Sequence, residues 1–72
     1  MVSIDTVATG QHIKTLIKDK NITVKELQNR LCFNTPQAIY KWLRGIALPS
    51  VDNLFYLADI LGCTVDDIVV RR

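Results

Sequence analysis

The sequence predicts an all-α fold, a compact bundle of five short helices in one domain spanning residues 1–72. Three observations carry that expectation. Apolar residues recur at helical spacing, most regularly at Leu54, Leu57, Ala58 and Leu61. Helix start and stop residues bracket those stretches, and no stretch alternates as a strand would. Every connection is short, with no repeat, linker or low-complexity tract.

The first helix is expected from about Thr6 or Thr9 to Asp19, with Ile13, Leu16 and Ile17 inward and Lys14, Lys18 and Lys20 outward. Residues 1–9 read as an arm, a helix extension or a short extended segment. The second helix opens on Thr23-Val-Lys-Glu26, a capping box in which hydroxyl and carboxylate each satisfy a backbone N–H. Val24, Leu27 and Leu31 form its buried stripe. The third helix is placed from Thr35, its cap, with Pro36 in the first turn, where a missing N–H costs nothing. Ile39, Trp42 and Leu43 face inward, and Gly45 ends the helix. Ser50 caps the fourth helix and Gly62 closes it. Thr64-Val-Asp-Asp67 opens a short fifth helix with acids at its positive end.

Composition narrows the class. A chain of 72 residues buries only about 60% of its unfolded surface, and 49% hydrophobic content suits an efficient core. Two cysteines, Cys32 and Cys63, make no disulfide framework, and a reducing cytoplasm with both thiols mostly buried is the expectation. No signal peptide is read at the start, and no segment approaches the roughly 20 apolar residues that span a membrane. One histidine and two distant cysteines do not match a metal site, so neither metal nor cofactor is expected, and His12 is read as exposed and idle. No nucleophile elbow, phosphate-binding glycine loop or H-x-E motif points to an enzyme.

Charge is uneven. Residues 1–45 carry Lys14, Lys18, Lys20, Lys25, Arg30, Lys41 and Arg44 against Asp5, Asp19 and Glu26, whereas the remainder is acidic. A polyanion on one side fits that asymmetry, although solvated helix faces would look the same. Residues 23–44 read as two helices around a tight turn, the second with a polar outer face. A small domain uses that arrangement to push one helix into the DNA major groove.

Several short motifs, in order, resemble the phage-repressor and Cro-type (XRE) helix-turn-helix family. Gly10-x-x-Ile13 resembles its opening turn, Thr23-Val-Lys-Glu-Leu27 its capped second helix, and Ile39-Tyr-Lys-Trp-Leu-Arg-Gly45 its recognition helix. Pro49-Ser-Val-Asp-Asn-Leu54, Leu57-Ala58 and Leu61-Gly-Cys-Thr-Val-Asp-Asp67 resemble the tail. The likeness covers about residues 10–70 and implies a five-helix DNA-binding domain. Two departures stand out. Gln28 replaces a usual small residue, and Cys32 replaces a usual glycine. The turn also reads one residue longer, which moves the expected left-handed position onto Asn34.

Matched to the family pattern, Gln37, Ala38 and Lys41 are the candidates for base contacts. Glutamine pairs with adenine, lysine donates to guanine and a small side chain approaches a thymine methyl. Thr23, Lys25, Thr35, Tyr40 and Arg44 are the candidates for backbone contacts, with double-stranded DNA as partner and transcriptional regulation as function. The alternative is a protein-interaction module on the same scaffold. Ile68, Val69 and Val70 are read as apolar residues on the final helix, and the region of Val69 and Val70 as a homodimer seam.

Overall fold

The computed structural model describes residues 3–72, and Met1 and Val2 of the proposed arm lie outside that range. Five helices follow in order: α1 Thr6–Asp19, α2 Val24–Arg30, α3 Gln37–Leu43, α4 Val51–Leu61 and α5 Val65–Ile68. The all-α expectation is met. The one β feature among the described residues is an isolated antiparallel bridge between Ile4 and Arg71.

The helix starts follow side-chain chemistry. Asp5 caps α1, its Oδ1 accepting the Ala8 N–H at 2.9 Å. Thr23 caps α2 by accepting the Glu26 N–H at 3.0 Å. The reciprocal half of that box is missing, because Glu26 instead pairs with Arg30 at 3.0 Å, one turn along. The complete capping box is at α5. There Thr64 Oγ1 accepts the Asp67 N–H and Asp67 Oδ2 accepts the Thr64 N–H. That Thr64 backbone N–H, and after it the hydroxyl, holds the Asp67 carboxyl below its ordinary value.

The helix ends repeat one device. After α2, the Cys32 N–H donates to Asn29 O at 3.2 Å and the Phe33 N–H to Gln28 O at 3.0 Å. This is a Schellman closure, and it needs a left-handed residue just past the helix. Asn21 after α1, Gly45 after α3 and Gly62 after α4 close their helices in the same way. The left-handed residue after α2 is Cys32, at φ 59°, not Asn34. The closure places it one residue past the α2 cap at Leu31, so Asn34 comes too late. Cys32 is consequently exposed and Cys63 only half-buried, correcting the expectation of two buried thiols. Burial still pushes the Cys63 thiol up, with Asp67 adding to it.

The core is Ile13 and Ile17 of α1, Leu27 of α2, Ile39 and Trp42 of α3, Leu57, Ala58 and Leu61 of α4, and Ile68. Val24 and Leu31 are half-buried against it. Phe33, from the α2–α3 turn, meets Trp42 edge-on with ring centroids 5.8 Å apart. Gln28 is buried, and its amide donates to Phe33 O at 3.3 Å. The turn residue that closes α2 thus also satisfies the polar side chain that replaces a small one.

Gly10 sits inside α1, not in an opening turn. An added Cβ there would lie 2.1 Å from the Trp42 carbonyl oxygen. Its absence of a side chain lets α1 cross directly over the end of α3. Gly45, at φ 75°, completes that crossing beneath Val7.

The chain ends are tied together. Asp5 N–H donates to Val70 O at 2.8 Å and Arg72 N–H to Ser3 O at 3.0 Å. The buried Thr9 hydroxyl accepts the Val70 N–H at 2.9 Å. Val69 and Val70 therefore do not lie on the final helix. They are half-buried, past the single turn of α5. His12 is not idle either: its Nε2 donates to the Asp67 carbonyl at 2.7 Å, pinning α1 to α5.

Candidate nucleic-acid interface

The short helix α3 divides cleanly. Ile39 and Trp42 are 0% and 4% exposed and hold it against the core. Gln37, Ala38 and Lys41 are exposed on the outer arc. With 3.6 residues per turn, positions 37, 41 and 38 span one arc of about 100°, next to the inward arc of 42 and 39. Their chemistry differs usefully: an amide that both donates and accepts, a methyl group, and a mobile cation.

The flanks gather the other candidates. A hollow of ≈ 360 Å³ lies between α2 and the start of α3, and it brings Lys25, Thr35 and Tyr40 together beside Gln28. A larger groove of ≈ 490 Å³ brings Thr23, Tyr40 and Arg44 together with Lys14 and Lys18 of α1. Tyr40, 44% exposed, borders both. Every candidate named from the sequence is solvent-accessible, and the backbone candidates line two hollows that meet at Tyr40, along one side of the base candidates.

One local detail differs from expectation. Thr35 does not cap α3. Pro36 is the cap residue, its carbonyl accepting the Tyr40 N–H at 3.1 Å, and no side chain bonds to the first turn. The helix starts one residue later because the α2 closure and the proline between them fix the approach. Thr35 is exposed, and the first amides of α3 have no side-chain acceptor.

On the sequence Lys14 and Lys18 read as a solvated face or a source of long-range attraction, and the fold makes them a rim. They flank Ile17 on α1 and stand over the groove that Arg44 borders from α3. The signal was present in their spacing around an apolar residue, but nothing local showed that α3 ends beside them.

The model of the helix-turn-helix family matches residues 13–68. No curated protein matched the chain. Among solved structures, the clp gene regulator ClgR from C. glutamicum is similar at a TM-score of 0.77 and 24% identity. That likeness covers 92% of this chain and 84% of the other, and at such identity it speaks for the fold.

Proposed function

The chain belongs to the helix-turn-helix family of Cro and repressor (XRE) type DNA-binding domains, and from that premise we propose that it reads a specific double-stranded DNA site by seating α3 in the major groove. As a regulator of transcription it would act by occupying that site. The observation that carries the reading is the division of α3, with Gln37, Ala38 and Lys41 outward and Ile39 and Trp42 locked inward. Gln37 supplies the donor and acceptor that match adenine, Lys41 the donor that matches guanine, and Ala38 a contact for a thymine methyl. Thr23, Lys25, Thr35, Tyr40 and Arg44 take phosphates beside the base-reading arc and set the register of the helix.

Selection of bound sites from random duplex DNA tests the reading. A defined site should emerge, and Lys41→Ala should weaken it by about 1–3 kcal/mol while relaxing one position of the preference. If Gln37→Ala and Lys41→Ala bind the selected site as wild type does, α3 is not the reading element.

One recognition helix makes few base contacts, so the proposal includes a homodimer on a two-fold site, with half-sites about one helical turn apart. Val69 and Val70 are half-buried, which leaves them a modest seam. Larger apolar exposure lies on α4, where Val51, Phe55 and Tyr56 are 67%, 63% and 59% exposed. Those exposed side chains are what favour the second reading, a module that binds another protein. Sedimentation of wild type, Val69→Asp and Phe55→Asp, with and without the selected duplex, separates these. Failure to select any DNA, together with a Phe55-dependent partner, would favour the second reading.

A further inference from the structure

The groove between α1 and α3 has a composition that phosphate contact alone does not require. Its wall is apolar where Ile17, Ile22 and Leu43 meet. Its rim carries three cations, Lys14, Lys18 and Arg44, and no acidic residue lines it. None of those cations forms an ion pair among the described residues, where the one salt bridge is Glu26–Arg30. A volume of ≈ 490 Å³ lies within the range of about 300–1,000 Å³ that small-molecule sites occupy. A phosphate backbone would use the rim and leave the apolar wall without a partner.

We propose that this groove is an effector site for a small amphiphilic anion, of the class of medium-chain carboxylates. The hydrocarbon body lies along Ile17, Ile22 and Leu43, and the carboxylate pairs with Lys14, Lys18 and Arg44. Burying the alkyl chain supplies most of the affinity. The cations set the sign of the ligand and its orientation. The regulatory consequence rests on the proposed DNA reading. Arg44 and Tyr40 border the groove and are assigned to phosphates, so a bound anion neutralises one and crowds the other. Ligand and DNA then oppose each other, each lowering the affinity of the other by the same factor.

The test is on the protein alone, so that its outcome does not depend on finding a DNA site. Methyl NMR shifts of Ile17, Ile22 and Leu43 are followed during titration with octanoate, butyrate and octanol. Octanoate should give saturable shifts confined to those methyls, and butyrate and octanol should bind at least ten-fold more weakly. The folded double variant Lys14→Glu/Lys18→Glu should lose at least ten-fold in octanoate affinity, whereas Arg71→Glu, outside the groove, should lose none. Absence of saturation would overturn the site. So would octanol binding as well as octanoate, an unaffected double variant, or shifts spread equally over the exposed α4 face. With the ligand confirmed, a selected duplex should bind several-fold more weakly in saturating octanoate; an unchanged duplex affinity would leave the ligand site standing and sink its coupling to DNA.

Discussion

Gly10→Ala sets two physical effects against each other, and the structure says which wins. Alanine is the better helix former, by about 1 kcal/mol in a helix interior. Gly10 lies well inside α1, so propensity alone predicts a more stable protein. The added Cβ, however, would stand 2.1 Å from the Trp42 carbonyl oxygen, with the Gly45 nitrogen and Leu43 oxygen both at 3.2 Å. All three neighbours are backbone atoms, so no side chain can rotate away. Real Cβ contacts essentially never fall below 3.0 Å, so the end of α3 must move by roughly 1 Å. That movement disturbs the closure in which the Trp42 carbonyl accepts the Gly45 N–H at 3.1 Å. Forcing a well-packed contact apart costs about 1–3 kcal/mol or somewhat more, against the gain of about 1. A net loss of up to about 2 kcal/mol follows, or a melting temperature lower by up to roughly 15 °C for a domain of this size. Urea unfolding followed by circular dichroism measures it. A Gly10→Ala protein as stable as wild type, or more so, would refute the argument that this crossing is set by backbone contact. The same displacement tilts Lys41 and Gln37, so the variant should also lose affinity for the selected site while it remains folded.

The remaining expectations are narrower. Cys32→Gly should stabilise the domain by about 0.5–1 kcal/mol, because a left-handed L-residue costs roughly 1–2 kcal/mol and glycine's entropy returns part of it; chemical denaturation checks this, and destabilisation would mean that the Cys32 side chain has a packing role. DNA affinity should fall steeply with salt, at about −0.9 in log–log slope per phosphate neutralised, and a flat dependence would remove the charged flanks from the interface. Asp67 is held below its ordinary carboxylate value, so its stabilisation is complete above that value and is lost as pH falls through the lowered one. Melting of wild type against Asp67→Asn should show that loss on acidification only in the former, and parallel curves would place the acid sensitivity elsewhere.

What the sequence made legible follows from which residues advertise their backbone. The α4 stripe of Leu54, Leu57, Ala58 and Leu61 needed only its period, and the closures at Gly45 and Gly62 only their glycines. The closure at Cys32 uses the same geometry with a side chain that does not announce it. The sequence therefore points to Asn34 for a left-handed position that Cys32 takes. Pro36 reads as a first-turn residue, and it becomes the cap because the end of α2 sets the approach of the chain. The bridge between Ile4 and Arg71 is a single pair with no period at all. The outward arc of α3 was readable because Ile39 and Trp42 fix its phase. The groove beside it was not, because Ile17, Ile22 and Leu43 come from separate segments that only the fold brings together.

The tied ends have a mechanical consequence. Force applied between the two termini meets the hydrogen bonds in series rather than in parallel. Ser3–Arg72 gives first, then Asp5–Val70, then the Thr9 hydroxyl on Val70. Each bond carries the whole load in turn, so the molecule opens like a zip from this edge at low force. Anything joined to both ends of the chain, and pulling, would lift the start of α1 early. Val7 would leave Gly45 with it, and the end of α3 would lose the surface against which it is braced.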